Sequence, residues 1–492
     1  MDVVEVAQGR IRGACVDGVW SFKGIPYAAP PVGPLRFARP HPAPTHVGVL
    51  EATTYGPTVA APPQRSPALA GLIADSSRPG GDALNLNVWT SAPGGSQLPV
   101  LVWIHGGGFL TGSGSTTAFD GSGFARNGVI VVTINYRLGV EGFLWLDGAV
   151  PNRGLLDQVA ALTWVKENIA AFGGDPESIT VAGESAGAMS VLTLATMPAA
   201  KGLFRRAIAQ SGDGHHVHSV GDAQLMTLEL SARLGVPPTP RGIEGVNLAD
   251  LHRVTNDVVT RVTSGTEPRF RAFRRLAFQP VVDGEILTAH PVTAARAGAT
   301  NGMELLIGTN ADEYGLFTAP TGLGDRMTAD MLRSSVDRLV DDDPLGLIAR
   351  YRAEMPTASA AQLFVAIQSD WFCRVPTVLY ADARRDAGAD CFMYEFTWRP
   401  TTFGGHLGAC HTLEIPFVFD TLKDPWGGAL RGRDAPQELA DQMHTAWTSF
   451  VTRGHPGWEP YGAARRVRQF DLPGAVVTDP HPWRRAAWEG RI

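Results

Sequence analysis

Apolar positions along the chain fall into two periods. Residues 84–89, 100–104, 129–134, 179–182, 206–210, 304–308 and 391–397 form short, largely apolar runs, and 129–134 and 179–182 are also rich in β-branched residues. Such runs predict strands, and 129–134 has the unbroken pattern of a strand buried on both faces of a parallel sheet. Residues 155–172 instead repeat with helical period, placing Leu155, Leu156, Val159, Leu162, Val165 and Ile169 on one face. Gly173-Gly174-Asp175-Pro176 stops that helix. The order strand, helix, strand, helix is a βαβ pattern, which predicts an α/β fold with a parallel sheet under helical cover.

The flanking regions fit one domain over residues 1–492. Residues 2–22 read as short strands, 24–40 as a proline-dense irregular segment, and 57–80 as a long Pro/Ser/Ala-rich loop without an aromatic residue. A more polar helical insertion is expected at roughly 215–300, helices at 325–390, and a helical region after the loop 404–411. No internal repeat or linker divides the chain.

Candidate chemistry lies where predicted strands end. The run 179–182 leads into Gly183-Glu184-Ser185-Ala186-Gly187, followed by a helix start. A serine between glycines at a strand-to-helix turn fits the nucleophile elbow, which holds a strained serine near a helix N-terminus. The run 100–104 leads into His105-Gly106-Gly107-Gly108-Phe109, whose glycines let backbone N–H groups turn inward as an oxyanion hole requires. His105 is expected to orient that loop.

A serine hydroxyl needs a base, and the base needs an oriented carboxylate. In this arrangement the chain order is Ser, acid, His. That order reduces 13 histidines to His406, His411, His444, His455 and His481. Only His406 and His411 lie in the loop after the 391–397 strand. For the acid, Asp312 and Glu313 both follow the 304–308 strand. Spacing does not choose within either pair.

Composition changes the picture mainly by exclusion. A formal net charge of −6 over 492 residues, with no basic block, argues against nucleic acid or an anionic membrane as partner. No apolar run approaches the roughly 20 residues a membrane helix needs. The four cysteines form no metal-like spacing, and the first residues lack the basic-then-apolar pattern of a signal peptide. A cytoplasmic protein with free thiols, most simply a monomer, is expected.

These motifs resemble the type B carboxylesterases, the α/β-hydrolase family that includes para-nitrobenzyl esterases, mammalian carboxylesterases and cholinesterases. The similarity runs nearly end to end, through GIPYAAPPVGPLRF, VWIHGGGF, NYRLGVEGFL, GGDPESITVAGESAGA, FRRAIAQSG, GTNADEYGLF and GACHTLEIPFVF. It implies Ser185 as nucleophile, Glu313 as acid and His411 as base, without metal or cofactor. Gly107, Gly108 and Ala186 would supply oxyanion-hole N–H groups, each typically worth about 2.7–4 kcal/mol of barrier. Glu184 and Ser211 would brace the triad, and Arg137 and Asp175 would form an internal ion pair. Phe109, Leu316, Phe317, Trp371 and Phe372 are candidate walls of an apolar pocket, and Cys410 is read as packing.

The chain also departs from the family. Gly81-Asp82-Ala83 stands where Glu-Asp-Cys is frequent, so the usual early disulfide cannot form and Arg36 would lack a carboxylate partner there. The aromatic residue of the cholinesterase 57–80 loop is absent, which argues against quaternary-ammonium substrates. The expected activity is acyl-enzyme hydrolysis of small to medium, neutral, mostly apolar esters. Alternatives are a specialised carbamate, lactone or natural-product ester hydrolase, or a non-catalytic binding protein on the same fold.

Overall fold

The computed structural model describes residues 2–63, 66–70, 72, 76–273 and 275–492. Its strands, in chain order, are β1 (Val3–Val6), β2 (Gly9–Arg12), β3 (Ala14–Val16), β4 (Val19–Pro26), β5 (Val49–Glu51), β6 (Asn85–Thr90), β7 (Leu98–Ile104) and β8 (Ile130–Ile134). They continue as β9 (Gly174–Glu184), β10 (Arg206–Gln210), β11 (His218–Ser219), β12 (Val281–Val282), β13 (Glu304–Asn310), β14 (Phe392–Phe396), β15 (Arg466–Phe470) and β16 (Ala475–Thr478).

An 11-stranded sheet runs β16-β15-β14-β13-β10-β9-β7-β8-β6-β4-β3, with small sheets β1-β2-β5 and β11-β12 beside it. Strands from β8 through β7, β9, β10, β13 and β14 to β15 are mutually parallel; both margins are antiparallel. Successive side chains point to opposite faces of a strand, and here both faces are apolar. Val100, Val102 and Ile104 of β7 join one core while Leu101 and Trp103 join the other. Likewise Leu305 and Ile307 of β13 face one way and Leu306 the other. The helix Arg153–Asn168 covers the first face through Leu155, Leu162 and Val165. The helix Gln437–Arg453 covers the second through Leu439, Met443 and Trp447.

Several expectations change in detail. The region after 411 is not wholly helical, because Arg466–Phe470 and Ala475–Thr478 add β15 and the edge strand β16. Arg137 pairs not with Asp175 but with Asp157, at 2.7 Å from Nη2 and 2.8 Å from Nε. Asp157 projects inward from the first turns of its helix, whereas Asp175 lies in the half-buried entry to β9 and accepts the Glu177 N–H at 2.9 Å. Arg36 has a partner after all, Glu141 at 2.7 Å.

Within the 57–80 loop, residues 64, 65, 71 and 73–75 lie outside the described residues. The rest holds a short helix at Pro67–Ala70, and the Thr58 N–H donates to Arg78 O at 2.8 Å. The 215–300 region, Arg274 apart, carries the helices Val220–Leu234, capped by Ser219 and Asp222, and Leu248–Thr263.

Candidate active site

β9 ends at Glu184 and the helix Ala186–Leu194 starts at the next residue but one, so Ser185 alone makes the turn. Its φ of 56° and ψ of −124° lie outside the favourable regions for a side-chain-bearing residue. Strain of this kind costs on the order of 1–3 kcal/mol and survives only where neighbours fix it. The Ser185 N–H donates to Gln210 O on β10, and Ser185 O accepts from Met189 N–H, both at 2.9 Å. Gly187 is required by close approach: a Cβ there would stand 2.0 Å from Ile104 O at the end of β7.

The glycine loop leaves that same strand. Gly107 has φ 111°, and a Cβ on it would meet Thr111 O at 2.1 Å, so only glycine fits. The loop lies directly against the serine, since a Cβ at Gly106 would be 3.1 Å from Ser185 Cβ. Among the described residues no hydrogen-bond acceptor takes up the N–H groups of Gly107, Gly108 or Ala186. Behind the loop, the buried His105 ring stacks on Tyr136 at 4.5 Å, and the Tyr136 hydroxyl donates to His105 O at 2.9 Å. Burial lowers the His105 pKa to about 4, so it is neutral and anchors the loop.

The acid and base candidates come from loops after β13 and β14. Asn310, the last residue of β13, donates its N–H to Glu313 Oε1 at 2.8 Å. Glu313 Oε2 lies 2.6 Å from His411 Nδ1, and because a carboxylate only accepts, Nδ1 carries the proton. The other imidazole nitrogen, Nε2, stands 3.1 Å from Oε1 of Glu184, the residue preceding Ser185. Ser185, Glu184, Glu313 and His411 are all buried. His406 instead is exposed, and Asp312 pairs with Arg399 at 2.8 Å and accepts from Ala409 N–H at 2.9 Å. His444 points away, with Nδ1 2.8 Å from Val418 O.

Electrostatically, several carboxylates share one imidazole. Burial works to lower the His411 pKa, but Glu184 and Glu313 outweigh it and raise the value to about 9. Burial raises Glu184 to about 8, with Glu414 and Glu313 adding to the shift and His411 opposing it. Glu414, three residues past His411, is also raised by burial and by Glu313, against hydrogen bonds from Asn310 and Gln210. Those bonds run from Asn310 Nδ2 at 2.6 Å and Gln210 Nε2 at 3.0 Å, and Trp447 Nε1 donates to Gln210 Oε1 at 2.9 Å. The sequence reading passed over Glu414, Asn310 and Gln210. The available signal was a carboxylate and amides set among strand ends otherwise built from apolar residues.

Of the remaining candidates, Phe317 and Phe372 come to 5.9 and 6.1 Å from the His411 ring, centroid to centroid. Trp371 lies under the Arg275 guanidinium at 5.0 Å. Phe109 packs on Phe143 at 4.8 Å behind the loop, and Leu316 is buried in the second core. Ser211 turns the chain after β10 with φ 52°, its N–H donating to Gly308 O at 2.8 Å. Cys373, also passed over, points its thiol at Ser211 O at 3.4 Å and lies within 4.8 Å of the Glu313 and His411 ligand atoms. Burial pushes that thiol well above its ordinary pKa, which opposes the thiolate a metal would require. Cys410 is buried in the second core.

A sequence model described as the carboxylesterase family matches residues 1–471. The chain belongs to the carboxylesterase family. This carboxylesterase is 38% identical to the para-nitrobenzyl esterase of Bacillus subtilis (strain 168) over 467 residues, 93% of this chain and 91% of that one. It is 35% identical to a phenmedipham hydrolase of Pseudarthrobacter oxydans, covering 97% and 95% of the two chains. Among solved structures, a Geobacillus stearothermophilus carboxylesterase superposes with a TM-score of 0.86 at 39% identity, over 99% of this chain and 100% of that chain. The fold is therefore the α/β-hydrolase fold and the protein is a serine carboxylesterase, a carboxylic ester hydrolase. The non-catalytic alternative is set aside.

Proposed function

We propose that Ser185 is the nucleophile, His411 the base and Glu313 its orienting acid, acting on neutral, mostly apolar esters through an acyl-enzyme. The observation that carries this reading is the 2.6 Å Glu313–His411 bond, which presents Nε2 to the turn that holds Ser185. His411 takes the serine proton as Oγ attacks the ester carbonyl. Glu313 holds the tautomer and stabilises the imidazolium. The N–H groups of Gly107, Gly108 and Ala186 receive the developing oxyanion, and the dipole of the helix Ala186–Leu194 favours the same charge. His411 then protonates the leaving alcohol, and water repeats the sequence to release the acid.

Glu184 and Ser211 brace this constellation, and Phe317 and Phe372 wall the apolar side of the pocket, with Trp371 behind them. Phe109 and Leu316 support that wall from the core rather than lining it. The reaction uses no metal or cofactor in this reading. We further read residues 1–492 as one domain and the protein as a cytoplasmic monomer. Its four free cysteines support a reducing compartment. No helix among the described residues is long and apolar enough to cross a membrane.

The test is p-nitrophenyl butyrate hydrolysis by wild type and Ser185→Ala, with a diethyl phosphoryl label located by peptide mass. Turnover is expected to fall by about 10⁴–10⁶-fold in the variant, with the label on Ser185. A variant retaining a tenth of the wild-type rate, or a label elsewhere, would remove Ser185 from the mechanism.

A further inference from the structure

Directly after β10 the chain reads Ser211-Gly212-Asp213-Gly214-His215-His216-Val217-His218, and most of its polar side chains are buried. Asp213 is 1% exposed and His216 1% exposed. Asp213 Oδ1 accepts from the His215 N–H at 2.6 Å and lies 3.2 Å from His215 Nδ1, while Oδ2 lies 3.1 Å from His216 Nδ1. Asp213 Oδ2 and His216 Nδ1 stand at ion-pair distance without a hydrogen bond between them. A carboxylate that close disfavours a lone pair on Nδ1, so in the neutral ring the proton sits on Nδ1 and Nε2 is the open lone pair. Burial works to raise Asp213, but His216 and His215 hold it well below the usual carboxylate range. Burial lowers His216, aided by Arg275 and His215, despite the attraction of Asp213.

His216 Nε2 is buried and has no hydrogen-bond partner among the described residues. A buried acceptor left bare is costly, so a partner that satisfies it is favoured. The ring stands edge-on to Phe372 at 5.4 Å, and Phe372 in turn contacts His411. Gly212, near the start of the run, backs the nucleophile: a Cβ there would lie 2.7 Å from Ser185 O. The His216 ring therefore sits one aromatic ring from the proposed base, on a segment that packs against the proposed nucleophile. The ester-hydrolysis steps use neither Asp213 nor His216, and a wholly apolar ester offers Nε2 nothing.

We propose that His216, held in one tautomer by Asp213, is a specificity-determining residue whose Nε2 accepts a hydrogen bond from a hydroxyl or N–H group carried by the substrate. The preferred substrates are then mostly apolar esters with one donor near the ester bond. This deepens, and rests on, the assignment of the site around Ser185. Asp213 is a positioning residue that acts through the ring. In Asp213→Asn the His215 N–H retains the amide oxygen, so the amide NH₂ faces Nδ1. That moves the ring proton to Nε2 and turns the acceptor into a donor.

The test compares kcat/KM for isosteric ester pairs, per active site titrated with diethyl p-nitrophenyl phosphate. Phenyl 3-hydroxybutyrate against phenyl 3-methylbutyrate places the donor on the acyl side. Hydroxyethyl butyrate against propyl butyrate places it on the alcohol side. Wild type is expected to favour the donor member of one pair by about tenfold, with the preference lost in both His216→Phe and Asp213→Asn. Normal titration with equal ratios in wild type and both variants overturns the inference alone. Failure of the wild type to titrate at Ser185 overturns the site assignment and the inference with it.

Discussion

Two buried ion pairs, Arg137–Asp157 and His411–Glu313, are alike in burial and contact distance but differ in what surrounds them. Around Arg137 the charges balance. The Nε and Nη2 groups and the backbone N–H go to Asp157, and Nη1 goes to Arg36 O and Ala38 O. Around His411 they do not, because Glu184, Glu313 and Glu414 press on one imidazole. A balanced pair has no proton to move and serves the fold. An over-supplied imidazole is held ready to take up an added proton, at the turn where the proposed reaction delivers one.

The sharpest way to break this contrast is to neutralise each pair. Glu313→Gln puts an amide N–H against Nδ1 and favours the wrong tautomer. Its kcat on p-nitrophenyl butyrate is expected to fall about 10⁴-fold with the urea midpoint little changed. A loss under tenfold would show that Glu313 only packs. Asp157→Ala should do the reverse. It leaves Arg137 buried without its counter-charge and should cost about 3–5 kcal/mol in urea unfolding, while kcat per titrated site stays within about threefold. If kcat per site collapsed instead, the division between structural and reactive pairs would fail.

A smaller effect sharpens the same contrast. Removing the Glu184 charge in Glu184→Gln should lower the His411 pKa and move the acid limb of the kcat/KM–pH profile down by on the order of 1 pH unit. The stability consequence has a definite sign. Both His411 and Glu184 have raised folded-state values, about 9 and about 8, so between their unfolded values and these the native state binds more protons. Stability contributed by the two is full at low pH and declines as pH rises from about 4.5 to about 9. Urea midpoints of wild type should follow that decline, and Glu184→Gln should flatten it. A wild-type midpoint that climbs over pH 6–9 would contradict the charge cluster.

The parts of the molecule legible from sequence are those where one short pattern carries the physics. The apolar β-branched runs before Ser185 and His105 leave few conformations for the turns that follow, and the helix from Arg153 shows its face in its period. What was hidden depends on contacts between distant segments. His411 and His406 occupy the same loop with equal claim, and only the return of that loop onto Glu313 separates them. The Arg137–Asp175 pair was carried over from the family resemblance, and only the three-dimensional packing of the helix Arg153–Asn168 brings Asp157 to the guanidinium instead. β15, Arg466-Val467-Arg468-Gln469-Phe470, holds only two apolar residues among three polar ones and is too short to announce itself as a strand. Asp213 and His216 escaped notice because a polar, histidine-rich run reads as surface, yet most of it is buried.

The distribution of sulfur has a practical consequence for anyone wishing to tether this enzyme. Cys373, Cys391 and Cys410 are buried, whereas Cys15 is exposed on β3, the outermost strand at one margin of the large sheet. A maleimide at neutral pH should therefore attach to one place, on a strand that contributes nothing to the reacting groups. Immobilised through that thiol, every molecule would be held by the same edge, with its catalytic loops free to the solution.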